Sequence, residues 1–400
     1  MSEATYPENW YEIDKALYNR SVRVFSTVKK VLSVKMKLHA ETQLQQGDIF
    51  LFNHFSRFET FIPQFLIYEQ TGAYGCAIAS GEFFEQDSVL ASYLKQVGVF
   101  PHDHDRLFSL LAAQIFRGRK IIIFPEGSMI KDHRVMDEEG NYSIYSRTTG
   151  QRRKQHTGAA VLAQGVEAIK IIIRRAYHDK DHAKLVWWKE QLHLDSLDQL
   201  LSSALKNTLI IPANITFYPI RTSENLMVKA VDFFSDNLSL RQTEELLIEG
   251  NIVLKNTDMD IRMGKPLEPF DQKFFDNLNL LQEVMADAKS MDEIYTFQAH
   301  PKDECQKDLG DYFKEAANAT RDQYMAEIYL NVTINLSHLA STLIIYLIKQ
   351  GQTQIDRKRF FTTLYIAVKL LQNNANINLH RSLLNPVDYS ELISGTGLRF

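Results

Sequence analysis

The chain has 400 residues, 45% apolar and 24% charged, which is enough for one large domain or two ordinary ones with full cores. A formal net charge of −4 at this length gives no bulk electrostatic attraction to nucleic acid. Only Cys76 and Cys305 are present, far apart and without metal-ligand spacing, as expected of a reduced, intracellular protein with incidental thiols.

The first ten residues are polar and acidic, so no secretory signal is expected. No uninterrupted apolar run reaches the roughly 18–20 residues that span a bilayer. The nearest, 330–348, is interrupted by Asn331, Asn335 and His338, and a buried helix is expected there. A lipid substrate would then be met at a membrane surface.

From Trp10 to Leu38 the pattern is helical, with Ile13, Leu17, Val24, Phe25, Val28 and Val31 near one face. The other face carries Arg20, Arg23, Lys29, Lys30, Lys35 and Lys37. Such a helix can lie on an anionic bilayer or pack on the domain with a solvated basic face, and the two readings are compatible. Strands are predicted over 47–53, 73–79 and 119–124, with helices over 87–96 and 106–116 between them. This alternation argues an α/β sheet covered by helices. Residues 127–153 lack periodicity and read as a long loop, a candidate lid. A helix over 156–165 and a strand over 168–173 are expected next. Then come a helix over 187–206, a strand over 208–218 and a last strand over 258–263. Beyond about 270 the β signals fade, and helices are predicted over 270–288, 308–340, 341–349 and 357–372. The expected organisation is an N-terminal helical segment (1–40), an α/β domain (41–270) and a C-terminal helical region (271–400).

Two blocks carry candidate chemistry. Asn53-His54-Phe55-Ser56-Arg57-Phe58-Glu59 follows a buried strand and opens an apolar helix, at the position where α/β folds build their sites. The spacing lets Glu59 reach back to the His54 imidazole. A carboxylate on one ring nitrogen fixes the tautomer and leaves the other to take a proton from a hydroxyl. The alternative is a structural His–Glu pair. The second block, Phe124-Pro125-Glu126-Gly127-Ser128, also ends a strand: proline stops it, glycine permits close backbone approach, and Glu126 is left at the sheet edge. There it can bind a hydroxyl or a cation, or be a solvated acid in a turn.

Together these blocks, His-x4-acid and then Phe-Pro-Glu-Gly about seventy residues on, resemble the glycerolipid acyltransferase family, which includes glycerol-3-phosphate and lysophosphatidate acyltransferases. Further blocks agree in order. Val97-Gly98-Val99-Phe100 with Asp105-Arg106 resembles the second motif, whose arginine helps bind the acceptor phosphate. His156-Thr157-Gly158-Ala159-Ala160 resembles the stretch after Phe-Pro-Glu-Gly, and Ile210-Ile211-Pro212-Ala213 the fourth motif, near the acyl pocket. Met263-Gly264-Lys265-Pro266 resembles the strand end that closes the domain. The match covers roughly residues 45–267.

The resemblance implies an acyltransferase-like sheet and O-acyl transfer in phospholipid biosynthesis. His54 would be the general base and Glu59 its orienting acid. Asn53, Ser56, Arg106, Phe124, Pro125, Glu126, Gly127, Ser128, Lys131 and Pro212 would contact substrates, with Arg106, Glu126 and Gly127 holding the acceptor. The donor would be acyl-coenzyme A or acyl carrier protein thioester, and the acceptor glycerol-3-phosphate or lysophosphatidate. No metal or other cofactor is implied, because the thioester is already activated. The expected location is cytoplasmic, peripheral to the cytosolic face of a membrane. Three departures stand out. Glu59 replaces the usual aspartate, Met129 stands where an arginine is common, and residues 167–207 form a longer connection than in compact members. Either Lys131 or Arg134 supplies the missing charge, or the acceptor carries no phosphate there.

Two rival readings follow from the departures: a catalytically impaired, acyltransferase-like lipid-binding protein, and acyl transfer to a different lipid or carrier acceptor. A hydrolase is disfavoured by the absence of a serine or cysteine nucleophile signature. His102-Asp103-His104-Asp105 and His178-Asp179-Lys180-Asp181-His182 invite a metal reading, but alternating side chains on an extended segment point to opposite faces. Trp187-Trp188 reads as helix packing or an interfacial anchor.

Overall fold

The computed structural model describes residues 12–31, 34–54, 61–84, 89–127, 136–137, 142–146, 151–218, 258–270, 281, 283–284, 288, 290–297, 301, 303–352, 354–385 and 388–390. Its first elements are α1 (Lys15–Val31), β1 (Lys35–His39), α2 (Thr42–Gln46), β2 (Ile49–Phe52), α3 (Phe61–Thr71), β3 (Gly75–Ala79), α4 (Val89–Gln96), β4 (Val99–Pro101), α5 (Leu107–Phe116) and β5 (Lys120–Ile123). Then follow β6 (Ser143–Ser146), β7 (Gln151–Lys154), α6 (Gly158–His178), α7 (His182–Gln191), α8 (Leu197–Ala204), β8 (Ile210–Tyr218) and β9 (Asp258–Met263). The last are α9 (Met291–Thr296), α10 (Glu304–Leu330), β10 (Thr333–Ile334), α11 (Leu336–Lys349), α12 (Arg357–Gln372) and β11 (Asn378–Leu379). The fold is α/β, with a mostly parallel seven-stranded sheet in the order β1-β9-β8-β2-β5-β3-β4.

The chain forms two compact units, the first from residues 1–28, 40–213 and 263–328, the second from 29–39, 214–262 and 329–400. In the first, β2 pairs in parallel with β5 (Ile49↔Ile121 to Leu51↔Ile123) and with the start of β8 (Ile49↔Ile210 to Phe52↔Ala213). All four residues of β2, Ile-Phe-Leu-Phe, are fully buried, the signature of a central parallel strand covered on both faces. From β2 the chain crosses by α3 to β3, then by α4 to β4, and returns by α5 to β5 beside β2. It then leaves in the other direction, by α6 to α8, for β8. Right-handed crossovers put helices from oppositely directed connections on opposite faces, so the connections that follow β2 and β5 leave on opposite sides of the sheet.

Helix α6 corrects the reading of a short helix and then a strand over 168–173. One 21-residue helix runs from Gly158 to His178. Its middle is buried all round, so Ile169 and Ile171–Ile173 look like a buried strand by pattern, and only length separates the two. Gly165 lets the helix pack closely, because a Cβ there would lie 2.1 Å from the Tyr295 ring. The helix expected over 187–206 is two, broken before Ser196, whose side chain caps α8 by accepting from the Gln199 amide. Trp188 is buried and meets Trp187 edge to face, as helix-packing aromatics do. The aperiodic stretch 127–153 is also corrected, since β6 and β7 pair antiparallel within and beside it.

The N-terminal amphipathic helix is shorter than expected and its apolar side is packed. Ile13 and Tyr18 are buried, the Tyr18 hydroxyl accepts from the Gly75 amide, and the Phe25 ring lies 4.6 Å from Phe65. Val24 alone among its described large apolar side chains is strongly exposed.

In the second unit, β1 pairs in parallel with β9, from Lys35↔Asp258 to His39↔Arg262. Residues 35–38 were read as the end of the first helix; Lys-Met-Lys-Leu alternates like a strand but also continues a basic helical face. His39 Nε2 meets Asp260 Oδ1 at 2.9 Å, and the Arg381 guanidinium reaches Asp258 at 2.7 Å. A local core of Leu336, Ala340, Phe360, Phe361, Leu364 and Val368 joins α11 to α12. The helix expected through 308–340 is interrupted at 331–335. Asn335 caps α11 by accepting from the His338 amide, and the His338 ring accepts in return from the Asn335 amide.

Burial holds the His338 imidazole below the ordinary histidine range, and burial does the same for His380 and His104. A depressed folded-state value means the unfolded chain binds more protons on acidification. The contribution is therefore present above about pH 6.5 and lost as pH falls. The urea midpoint is expected to drop between about pH 7.5 and 5, and His338→Gln to flatten part of that slope. An equal slope in the variant would remove His338 from the account.

Candidate active site at the strand ends

Because β2 and β5 are parallel neighbours, their carboxyl ends emerge side by side, and these ends carry the two sequence blocks. The His54 backbone N–H donates to Glu126 Oε2 at 2.6 Å. Glu126 is only 2% exposed, so this carboxylate is anchored by hydrogen bonding to main chain across the gap between two strands. The Phe124 ring lies 4.9 Å from the His54 ring, and 6.4 Å from Phe52. Phe124 therefore walls one side of the imidazole.

The turn that delivers Glu126 has a simple local cause. Pro125 ends β5, and the Gly127 amide turns back to donate to the Phe124 carbonyl at 3.0 Å. Gly127 sits at φ +66°, a left-handed conformation that other residues enter at a cost of roughly 1–2 kcal/mol. On the opposite flank of β2, Pro212 stands level with Leu51, and its carbonyl accepts from the Gly264 amide at 2.6 Å. Asn53 and His54 are both half-buried. Glu59, Ser56, Ser128 and Lys131 lie outside the described residues, as do Met129 and Arg134.

Arg106 stands immediately before α5, just after β4, and its side chain makes no capping bond to that helix. Its backbone amide donates to His104 Nδ1 at 3.0 Å and to Asp105 Oδ1 at 2.9 Å. Its Nε donates to Asp292 Oδ2 at 2.9 Å, and Asp292 also accepts from the Ser109 hydroxyl. Asp292 had no sequence signal linking it to Arg106. It comes from the first turn of α9, which Ser290 caps, and the Phe108 ring stacks on Tyr295 of that helix at 5.3 Å. The Arg106–Asp292 pair is half exposed, and such pairs contribute about 0–1 kcal/mol.

The first His–Asp cluster serves the backbone. His102 Nδ1 accepts from the Gly81 amide at 3.1 Å, and a Cβ at Gly81 would meet the Asp103 carboxylate at 2.4 Å. In the second cluster, Asp179 pairs with Arg175 and His178, and Asp181 caps α7. Among the described residues no group of three or more His, Cys, Asp and Glu could hold a metal ion. Cys76 is buried and its thiol is pushed up to about 12 by that burial, which leaves it protonated and inert.

Compared with models of known families and with curated proteins, the chain matches none.

The strand-end geometry predicts how stability responds. Glu126→Ala leaves the His54 amide without its acceptor and should cost about 1–3 kcal/mol, read from urea midpoints. Gly127→Ala should cost about 1–2 kcal/mol from backbone strain. A Glu126→Ala variant as stable as the parent would show that the bond carries no weight.

Proposed function

We propose that the protein is an O-acyltransferase moving a fatty acyl group from coenzyme A or acyl carrier protein thioester to a hydroxyl of glycerol-3-phosphate or lysophosphatidate. It would act at the cytosolic face of a membrane that it reaches peripherally. The observation that carries this reading is the 2.6 Å bond from the His54 amide to Glu126, which joins the two blocks the acyltransferase resemblance rests on. Parallel pairing of β2 with β5 brings the two blocks side by side, and the bond links them there. The open edge of a parallel sheet is where such sites form.

In this reaction His54 takes the proton of the acceptor hydroxyl as its oxygen attacks the thioester carbonyl. The tetrahedral intermediate then collapses, the C–S bond breaks, and the thiolate leaves with a proton returned to it. No acyl-enzyme is formed. Glu59 orients the imidazole. Glu126 acts one step back, fixing the main chain from which the imidazole projects, so it is a positioning residue as well as an acceptor contact. Arg106 exchanges Asp292 for the acceptor phosphate. Asn53, Ser56, Phe124, Pro125, Gly127, Ser128, Lys131 and Pro212 line the substrates.

The test is thiol release from palmitoyl-coenzyme A and from palmitoyl-acyl carrier protein, each with glycerol-3-phosphate, lysophosphatidate or no acceptor. Release should require an acceptor and fall by about 10²-fold or more in His54→Ala, the usual scale for removing a general base. Glu59→Asp should keep or raise the rate. No release from folded protein with any acceptor would favour the lipid-binding, non-catalytic reading, and full turnover by His54→Ala would remove the histidine from its role.

A further inference from the structure

The second unit exposes apolar side chains where a helix should be polar. In α11 and α12 the inward positions, Leu336, Ala340, Phe360, Phe361, Leu364 and Val368, fill the local core. The outward positions at the end of α11 should then face water. Instead Ile344 and Ile345 are exposed, with Tyr346 at 58% and Ile348 at 65%. On α12, Ile366 and Leu370 are likewise exposed. Scattered exposed aliphatic residues need no explanation, but four within five residues of one helix end do.

The same end is cationic. A seven-residue connection joins Lys349, at the close of α11, to Arg357-Lys358-Arg359, at the opening of α12, so these charges gather with the exposed isoleucines at one tip of a helical hairpin. Across 336–372 there are five cations, Lys369 included, against the single acid Asp356, although the whole chain is net negative. Asp356 is occupied as the helix cap, accepting from the Arg359 amide at 2.8 Å. Arg357 lies over the Phe361 ring at 5.9 Å.

We infer that this hairpin tip is a membrane-docking surface that takes an anionic lipid bilayer. Ile344, Ile345 and Ile348 enter the acyl boundary, Tyr346 sits at headgroup depth, and the lysines and arginines meet lipid phosphates. A handful of side chains is a small patch beside the roughly 800 Å² per partner of a stable protein interface, whereas a bilayer needs no complementary shape. No helix among the described residues is long and apolar enough to cross a membrane, and the apolar side of α1 is already packed on the first unit. The inference deepens the acyltransferase reading by naming how such an enzyme would reach lipid, and its test does not depend on turnover.

The experiment is flotation of the full chain with phosphatidylcholine vesicles, with and without about 30% phosphatidylglycerol, in the absence of acyl donor. The parent and His54→Ala should both bind the anionic vesicles, and bind the neutral ones far less. Ile345→Glu with Ile348→Glu, and separately Lys358→Glu with Arg359→Glu, should each lower partitioning by about tenfold or more. Their thermal unfolding should match the parent, since these positions are exposed. Arg20→Glu with Arg23→Glu on α1 should change partitioning less than either. Equal binding by the hairpin variants, loss of binding confined to the α1 variant, or absence of parent binding would each overturn the proposal. So would a concentration-dependent dimer that the isoleucine variant dissolves while no vesicle binding is seen.

Discussion

The carboxylate of Glu126 and the amide of His54 set the site. A buried carboxylate is costly unless main-chain or cationic donors surround it, and a backbone N–H at the end of a parallel strand has no ladder partner beyond the last pair. Each group answers the other. Their bond ties the end of β2 to the end of β5, where the imidazole, the Phe124 ring and the Gly127 turn come together. In the proposed reaction a general base would need a fixed position, and this bond secures the main chain that carries the imidazole.

The sheet supplies what the pair cannot. Four fully buried residues in β2 fix the height of the strand end. The chain departs from β2 toward β3 and from β5 toward β8, so the two connections leave in opposite directions along the sheet. Arg106 reaches the same carboxyl edge of the sheet from the loop after β4, held by its backbone contacts to His104 and Asp105 and by Asp292 from α9. The Arg106–Asp292 pair is half-exposed, whereas the bond to the buried Glu126 is short.

Much of this was legible in the chain. The strands flanking His54 and Glu126 read correctly, because short apolar runs ended by Asn-His or by Pro-Glu-Gly leave little room for another element. The strand 258–263 read to the residue, while the two-residue strands β10 and β11 beyond it were too short to show a pattern. What was illegible had physical causes. The middle of α6 is buried on every side and carries a β-branched run, so periodicity could not distinguish it from a strand. The strand β1 has charges on one face and was absorbed into a basic helix. The bond from Glu126 to His54 was invisible because the donor is main chain, and sequence patterns advertise side chains. For the same reason the two histidines of the 102–105 cluster suggested metal chemistry, while in the fold both accept from backbone amides.

Whether Glu126 holds the His54 amide in solution is read by amide proton NMR of the full chain. The His54 amide should resonate well downfield and exchange slowly with solvent in the parent, and should lose both properties in Glu126→Ala while the amides of β2 keep theirs. A His54 amide that exchanges freely in the parent, or that is unmoved by the substitution, would show that Glu126 does not hold it.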